Sequence, residues 1–509
     1  MQLLSVDVGT QSVRAALVTD RGRFLKTASR PLKNWNPQPG FYQQSSDQIW
    51  SACCEAIKEV CRDAKNVSGV GFDATCSLVV LDDSGRPLTI SPKGEPEHNV
   101  LLWMDHRAVS QAEAINATGH SVLRFIGGSM SPEMQPPKLL WIKQNIPSTW
   151  ERIGLAMDLS DFLTWRATGC ASRSLCAAVC KWTYQACTVP GSDKKHGWQD
   201  SIWTRIGLDE ITRDDYRIIG LLGCEADGKF PEEFSRRLAI IAGTSAAHML
   251  ASEKCIFSPG APGPFLSVMV PGMWLSEPGQ SAAGALVDHI ISTHPAYPQI
   301  VAKTKPGRRP EDTLNDLLQS MSDRQGLDSL SRLTTDLHVW PDFHGNRSPL
   351  ADPTLRGMVS GLTLTSDEED LARLYLATLQ ALAYGSRHII DALTDAGHLL
   401  SGILTCGGLA KNPLYVRSLA DATGLSVMLP LETESVLLGG AILAASACGR
   451  YASVKEAMLR MGGSGHVISP QMSERSFHDA KYAAFHALLD CQRRLKELMA
   501  SGEPAVSCS

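Results

Sequence analysis

The sequence contains no CxxC pair, although its 509 residues include 14 cysteines. The closest cysteine spacings, Cys53-Cys54 and Cys176 to Cys180, match neither a disulfide framework nor a zinc-ligand pattern. The N-terminus lacks the basic region and the apolar core of a secretory signal. We therefore expect reduced thiols, no zinc site and a cytoplasmic location.

Two further absences limit the partners of the chain. No apolar run reaches the roughly 20 residues that a membrane-spanning helix needs. The net charge of −5 leaves no surplus of Lys and Arg, the usual mark of nucleic-acid or membrane-surface binding. A small molecule is therefore the expected partner, and the assembly is left open, with a homodimer among the options.

What is present is an alternation of apolar strands and amphipathic helices. The pattern predicts short strands at 3–6 and 15–18, a helix at 48–61 and a long helix at 370–396. A glycine turn follows the strand-like segment "GILTCGG". This alternation indicates an α/β fold, and the length allows two domains with full cores.

Four polar, glycine-bearing stretches interrupt the pattern: "DVGTQSVRA" (7–15), "AGTSAAHM" (242–249), "CGGLAKNPLY" (406–415) and "ESVLLGGAILAA" (434–445). The first lacks the spacing of a Walker loop, and each alone is usually a structural turn. In this order they predict a phosphate site, because hydroxyls, amides and backbone N–H groups in such turns hold phosphate oxygens.

Several of these stretches, together with "GFDATCSLVVLD", "WMDHRA" and "DFHGNRSPLADPTLRG", resemble the ribulokinase branch of the FGGY carbohydrate kinase family. The resemblance extends from Leu3 to about Lys481. It implies an α/β fold of two actin/hexokinase-like (ribonuclease H-like) domains around an interdomain cleft. The expected division is an N-terminal domain at 1–237, a C-terminal domain at 238–481, and a helix and tail at 482–509.

The resemblance also implies ATP-dependent phosphorylation of a ketopentose, with D-ribulose converted to D-ribulose 5-phosphate. Asp7 is the residue expected to orient Mg²⁺ through water, since hydrated Mg²⁺ suits a carboxylate beside phosphates. The residues expected to bind the nucleotide are Thr10, Gln11, Ser12, Arg14, Thr244, Gly408 and Asn412.

On the sugar side, the resemblance assigns contacts to Ala74, Thr75, Cys76, Asp105, Lys181 and Glu277. Alternatives stay open for four of them, and for Lys181 and Glu277 a sugar contact is favoured over a purely structural role. Cys76 is equally well a core thiol, and Asp105 is equally well the ion-pair partner of Arg107. Lys181 lies between Cys180 and Trp182, where burying an ammonium group is costly without a polar partner.

One departure from the family concerns the catalytic base. Phosphoryl transfer to a hydroxyl needs a carboxylate within reach, which the family places in a small-residue Asp motif between a strand and a helix. Between Gly220 and Gly243 this chain has only "LLGCEADGKFPEEFSRRLAIIA", too short for a strand, a motif and a helix. Asp227, in an exposed-turn pattern, is a weak substitute.

We therefore expect an internal deletion and a truncated or rearranged sheet near Gly220 to Ala239. The alternative to an active kinase is a catalytically impaired protein that retains only nucleotide and sugar binding.

Overall fold

The computed structural model describes residues 1–186, 197–220, 236–463 and 465–501. The described part of the first 220 residues contains β1 (Gln2–Val8), β2 (Ser12–Thr19), β3 (Phe24–Pro31), β4 (Gln43–Gln44), α1 (Ser46–Val60), β5 (Val67–Ala74), β6 (Leu78–Leu81), β7 (Val100–Leu101), α2 (Val109–Ala117), α3 (Gln135–Asn145), α4 (Pro147–Trp150), β8 (Leu155–Asp158), α5 (Leu159–Thr168), α6 (Leu175–Trp182) and α7 (Asp200–Arg205).

The described part of the rest contains β9 (Arg237–Ala242), β10 (Ala246–Ser252), β11 (Phe265–Leu266), β12 (Trp274–Ser276), β13 (Gly279–Gln280), α8 (Gly284–Thr293), α9 (Tyr297–Lys303), α10 (Pro310–Gln325), β14 (His338–Trp340), β15 (Met358–Ser360), α11 (Glu368–Asp395), β16 (Gly402–Cys406), α12 (Pro413–Thr423), β17 (Val427–Leu429), α13 (Ser435–Ala447), α14 (Val454–Met461), β18 (His466–Ile468) and α15 (Arg475–Ser501). The predicted α/β alternation is confirmed. No described helix is long and apolar enough to cross a bilayer.

The chain divides into two compact units, each built from separate stretches of sequence. Unit 1 comprises Met1–Ser235, Leu250–Glu277 and Leu431–Ser464, and unit 2 comprises Arg236–Met249, Pro278–Pro430 and Gly465–Ser509. The contiguous division predicted from the sequence (1–237, 238–481 and 482–509) differs from this one, because two later segments pack within unit 1. The predicted separate C-terminal helix is α15, which begins at Arg475 and belongs to unit 2.

Unit 1 is built on a four-stranded sheet in the order β3-β2-β1-β5. The predicted hairpin is confirmed: β1 pairs with β2 antiparallel, and Gly9 N–H donates to the Ser12 carbonyl at 3.0 Å to close the turn. Val6, Val8 and Val13 are fully buried under α1, so the apolar side chains of the hairpin form the core. Strand β5 pairs parallel with β1 on the other side.

The segment 431–464 belongs to unit 1 because α13 packs directly on β1 and β5. A Cβ atom at Gly71 would lie 2.1 Å from the Gly440 carbonyl oxygen, so only glycine allows the strand and the helix to approach so closely. Ala441, Ala444 and Leu3 are buried in the resulting contact. Small residues on both surfaces therefore attach this late helix to the N-terminal sheet.

Unit 2 contains a sheet in the order β10-β9-β16-β17-β18. Strand β9 pairs antiparallel with β10 and parallel with β16, and β16 pairs parallel with β17. The 28-residue helix α11 is largely buried and packs against α8, α10 and α12. It corresponds to the long helix predicted at 370–396.

The two sheets share the pairing around their central strand but differ in the number of strands beyond it. In each unit a central strand has an antiparallel neighbour on one side (β2 or β10) and a parallel neighbour on the other (β5 or β16). Strand β16 continues to β17, whereas β5 pairs with no further strand among the described residues. Val67 and Val70 of β5 are 40% and 47% exposed.

The expected rearrangement near Gly220 to Ala239 stays a prediction, because residues 221–235 lie outside the described part of the chain. Strand β9 starts at Arg237, and β5 is an edge strand of its sheet among the described residues. Asp227 lies outside the described residues, so its proposed role stays untested.

Candidate active site

The turn between β1 and β2 is held by its neighbours on several sides. The Thr10 hydroxyl accepts a hydrogen bond from Trp103 Nε1 at 3.1 Å, and the Thr10 carbonyl accepts from Asn34 and Gln44. The Gln11 carbonyl accepts from Leu32 N–H at 2.8 Å. These bonds fix the backbone, while the Gln11 side chain remains exposed. The predicted phosphate turn is thus a preformed loop with hydroxyl and amide groups on it.

Arg14 forms ion pairs within unit 1. It stands opposite Asp7 in the β1–β2 register, and its Nε donates to Asp7 Oδ2 at 3.0 Å. Its Nη1 also donates to Glu434. Burial raises the pKa of Asp7, an effect that the Arg14 charge partly offsets. Arg14 therefore neutralises carboxylates here, and its predicted contact with ATP stays a prediction.

Asp73, which the sequence analysis did not select, occupies the same register position on β5 as Asp7 on β1. Desolvation raises the pKa of Asp73 to about 6, with Asp7 adding to the rise, although the side chain is exposed. Asp7 and Asp73 therefore form a pair of neighbouring carboxylates near the ends of β1 and β5. The position of Asp73 at a strand end, directly before Ala74, was the available signal.

The predicted sugar turn directly adjoins the end of β1. Thr75 N–H donates to the Val8 carbonyl at 3.0 Å, and Thr75 Oγ1 lies 3.0 Å from Ser77 Oγ. Because β1 and β5 are parallel, their carboxyl ends meet at one sheet edge. The structure thus brings the turn at 74–76 and the phosphate hairpin together.

Cys76, Lys181 and Glu277 lie close enough to influence one another electrostatically. Desolvation raises the pKa of the Cys76 thiol to about 12; Lys181 opposes this rise, whereas Glu277 and Asp158 add to it. Lys181 is carried by α6 and is 8% exposed. The Cys76 side chain reaches solvent and is therefore not a core thiol. These sugar candidates form one polar group in unit 1.

Asp158 is a second acidic residue that the sequence analysis missed. It is buried at the end of β8, where it accepts hydrogen bonds from Gln135 Nε2 at 2.9 Å and from Trp182 Nε1. Burial raises the pKa of Asp158 to about 6, and Lys181 is among the groups that oppose the rise. Asp158 therefore supplies the negative partner that a largely buried Lys181 requires.

For Asp105 the structure shows the ion-pair alternative. The carboxylate is completely buried and accepts from Arg107 Nε at 2.8 Å, from Arg107 Nη2 at 2.7 Å and from Tyr42 N–H at 2.7 Å. Both oxygens are thus engaged by the protein. Asp105 therefore anchors the loop that carries it, and its predicted contact with sugar hydroxyls stays a prediction.

In unit 2, the predicted nucleotide residues meet at the carboxyl ends of β9 and β16. Gly407 has φ +96°, and a Cβ atom there would lie 2.5 Å from the Ala242 carbonyl oxygen. The glycine turn therefore packs against the end of β9, next to the turn that carries Thr244. The Thr244 carbonyl accepts from Ala283 N–H at 2.9 Å, which fixes that turn. A Cβ atom at Gly408 would meet nothing within 4 Å, so this face is open.

Asn412 is predicted to bind the nucleotide through its side-chain amide, and in the structure this amide already has protein partners. Its Oδ1 accepts from Leu414 N–H at 3.1 Å, which caps α12, and from Asn315 Nδ2 at 3.3 Å. Its Nδ2 donates to the Tyr375 hydroxyl, and the residue is 2% exposed. Asn412 thus shapes the start of α12, and a direct bond to the base stays a prediction.

The matches to known proteins agree with this architecture. The N-terminal domain model of the FGGY family of carbohydrate kinases matches residues 2–210, and the C-terminal domain model matches residues 238–448. The chain belongs to the FGGY family of carbohydrate kinases.

Among its relatives, the human FGGY carbohydrate kinase domain-containing protein is 45% identical, and the alignment covers 97% of this chain and 97% of the human protein. A D-ribulokinase of Saccharomyces cerevisiae is 33% identical over 87% of this chain and 71% of its own length. The alignment with the human protein spans 547 residues, more than the 509 residues of this chain. Part of it therefore sets residues of the relative against gaps in this chain.

Solved structures support the same fold. A gluconate kinase from Lactobacillus acidophilus superposes with a TM-score of 0.74 at 16% identity, covering 96% of this chain and 98% of its own. A xylulose kinase from Rhodospirillum rubrum gives a TM-score of 0.69 at 18% identity, covering 97% and 99%. At these identities the likeness establishes the actin/hexokinase-like fold alone.

Proposed function

We propose that the chain is built to phosphorylate a ketopentose, D-ribulose, with ATP as the phosphate donor. The observation that carries this proposal is the adjacency of the β1–β2 hairpin and the turn at 74–76, joined by the bond from Thr75 N–H to the Val8 carbonyl. A phosphate loop next to a polar turn places a donor and an acceptor side by side.

In the proposed reaction, the terminal hydroxyl oxygen of the sugar attacks the γ-phosphorus of ATP. The bond from that phosphorus to the bridging oxygen breaks, ADP leaves, and the hydroxyl proton passes to a base or to water. In unit 1, the turn at 10–12 offers backbone N–H groups and hydroxyls to phosphate oxygens. In unit 2, the turns that carry Thr244 and Gly408 offer backbone N–H groups and the Thr244 hydroxyl.

The sugar would be held by the polar group around Lys181. Together with Glu277 and Thr75, it presents donors and acceptors suited to several hydroxyl groups. A smaller polyol such as glycerol would leave some of these polar groups without a hydrogen-bond partner. The site therefore discriminates against the smaller polyol. The 33% identity to a D-ribulokinase supports D-ribulose as the first substrate to test.

The carboxylates at the ends of β1 and β5 fit a hydrated magnesium ion. Mg²⁺ keeps several waters and is bound through one or two carboxylates plus substrate phosphates. Asp7 and Asp73 supply these carboxylates at one register position. The ion would neutralise phosphate charge, while Arg14 holds Asp7 in place.

A specific observation also favours the alternative of an impaired kinase. Strand β5 has no partner on its outer side among the described residues, and the alignment with the human relative contains gaps in this chain; both are expected if a segment is missing. Loss of the family's base would cost about 10²–10⁴ in rate. The impaired form would still bind nucleotide and sugar, because the turns that serve them are formed.

An ADP-release assay with D-ribulose, L-ribulose, D-xylulose and glycerol tests the proposal. Turnover that is fastest with D-ribulose supports the kinase. Stabilisation by Mg·ATP and D-ribulose in thermal melts without turnover supports the impaired form. Absence of both turnover and stabilisation would refute both forms of the proposal. The cytoplasmic location and the homodimer stay predictions, to be tested by fractionation and by sedimentation.

A further inference from the structure

A single tryptophan connects the two turns on which the proposed reaction depends. The indole Nε1 of Trp103 donates to the Thr10 hydroxyl in the predicted phosphate turn at 3.1 Å. Its backbone N–H donates to Ser77 Oγ at 3.2 Å, and that oxygen lies 3.0 Å from Thr75 Oγ1 in the predicted sugar turn. Trp103 is 9% exposed, and Ser77 is completely buried. The position of the Trp103 backbone therefore determines how the two turns are joined.

Lys138 of helix α3 holds the backbone of this tryptophan. Its Nζ donates to the Leu102 carbonyl at 2.8 Å and to the Trp103 carbonyl at 3.4 Å. Gln135, three residues earlier on the same face of the helix, donates from Nε2 to the Cys76 carbonyl at 3.3 Å. One face of α3 is thus bonded both to the segment that carries Trp103 and to the sugar turn.

Lys138 occupies this position against two electrostatic costs. It is completely buried, and burial lowers its pKa to about 8, an effect that the Asp105 charge partly offsets. It also lies near the N-terminus of α3, which begins at Gln135, where the helix dipole disfavours a positive charge. An ammonium group in such a place needs acceptors, and the two carbonyl oxygens provide them. The specific contribution of the amine is therefore its hydrogen bonds to the backbone beside Trp103.

We propose that Lys138 is a positioning residue for the phosphate turn and that it acts through Trp103. By fixing the two carbonyl groups, the amine fixes the direction of the Trp103 indole, and the indole in turn fixes the Thr10 hydroxyl. This inference rests on the proposed function, because Thr10 serves the reaction only if the turn at 10–12 binds the phosphates of ATP. Lys138 itself is buried and would touch neither substrate.

The link from Lys138 to Thr10 can be measured without a ligand. In protein labelled with ¹⁵N at the tryptophan indoles, the Trp103 signal is identified by its disappearance in Trp103→Phe. Lys138→Met, which fills the same space without the amine, should shift this signal. Lys143→Met is the matched control, because Lys143 lies on the same helix and donates to Glu210 instead; it should leave the signal in place. An unshifted Trp103 signal in Lys138→Met would overturn the proposal.

Titration calorimetry with Mg·ATP measures the consequence for binding. Lys138→Met and Trp103→Phe should each weaken the affinity at least about threefold. The double variant should bind no more weakly than Trp103→Phe alone, because both changes break one chain of contacts. Lys143→Met should bind as the wild type does. Additive losses in the double variant would mean that Lys138 acts by another route, and would overturn the proposal.

Trp103→Phe guards against misfolding of the Lys138 variant, since it deletes only the indole donor. Weakened Mg·ATP affinity in this variant supports the proposal, and unchanged affinity overturns it, because Lys138 acts through that donor. A wild type that does not bind Mg·ATP would refute the proposed function, and the role of Lys138 in phosphate binding with it. A wild type that binds Mg·ATP beside an unshifted Trp103 signal in Lys138→Met would refute the role of Lys138 alone.

Discussion

Asp7 and Asp73 occupy one register position on the parallel strands β1 and β5, so that two carboxylates end neighbouring strands. Arg14, opposite Asp7 on β2, is shared with Glu434. Three carboxylates thus surround one guanidinium. The three carboxylates outnumber the guanidinium, and burial raises the pKa values of Asp7 and Asp73. Such a surplus of negative charge suits a cation that arrives with a phosphate ligand.

The first prediction concerns Asp73→Asn. Removing this charge should relieve repulsion and raise stability near pH 7.5 by at most about 1 kcal/mol, since the side chain is solvent-screened. The same change should weaken binding of Mg·ATP and shift the Mg²⁺ dependence of ADP release to higher concentration. Urea unfolding and a Mg²⁺ titration measure the two effects. The exposed change Asp63→Asn is the control, and an unaltered Mg²⁺ dependence in Asp73→Asn would exclude the role.

The fold was largely predictable because its signals are local. The hairpin at 2–19 follows from alternating apolar residues around Gly9, and α11 follows from helical periodicity. The attachment of α13 to unit 1 was not predictable, since it depends on a long-range contact between Gly71 and Gly440.

Within the site, the residue types predicted which side chains are polar but not which groups they bind. The Asp105 carboxylate accepts hydrogen bonds from Arg107 and Tyr42. The Asn412 amide forms hydrogen bonds with the first turn of α12 and with Tyr375. Sequence alone shows neither set of partners, because each forms only when distant segments pack together. Asp73 was missed for the same reason, since its significance rests on the register of β5 beside β1.

The second prediction separates a binding residue from a structural one in unit 2. Thr244→Ala should weaken nucleotide affinity by about 1–3 kcal/mol with little change in stability. Asn412→Ala should lower the free energy of unfolding by about 1–2 kcal/mol, because it removes the cap of α12 and the bond to Tyr375. Calorimetry with ATP and urea unfolding measure the two. Thr244→Ser, which keeps the hydroxyl, is the control; unchanged affinity in both alanine variants would contradict the nucleotide placement.

The third prediction compares two glycines at the α13 contact. Gly71→Ala would bring a methyl group against the Gly440 carbonyl and should destabilise the protein by about 1–3 kcal/mol. Gly439→Ala meets nothing within 4 Å and should stabilise α13 by up to about 1 kcal/mol. We expect urea unfolding to show a lower free energy of unfolding for Gly71→Ala and a higher one for Gly439→Ala. Similar small effects in both variants would show that the strand and helix separate easily.

The fourth prediction is a pH dependence at Asp161, which is 5% exposed and accepts from Ser174 N–H at 2.8 Å. Burial raises the pKa of Asp161 from 3.8 to about 7. The folded state thus keeps a proton that the unfolded state loses, so this residue's contribution to stability declines as the pH rises from about 4 to about 7.

Because asparagine does not titrate, Asp161→Asn should gain stability relative to the wild type across that window, by at most about 1.4 kcal/mol per pH unit. The difference should level off above about pH 7. Urea unfolding of both proteins at pH 5 and pH 7.5 measures it, with the exposed change Asp209→Asn as the control. A difference that is constant with pH would mean that Asp161 is ionised throughout.

The final prediction concerns the segment that we propose to be missing between Gly220 and Gly243, restored from the corresponding residues of the human relative. The restored chain should turn over D-ribulose at least about 10² times faster, because a positioned carboxylate returns. It should also slow hydrogen exchange of the β5 amides, since β5 gains a strand at its open edge. Strand β3, at the opposite edge, is the internal control and should exchange as before. Equal turnover by the two forms would mean that a carboxylate already present, such as Asp73 or Asp227, accepts the proton. Slowed exchange at β5 without faster turnover would show that the segment completes the sheet but supplies no base.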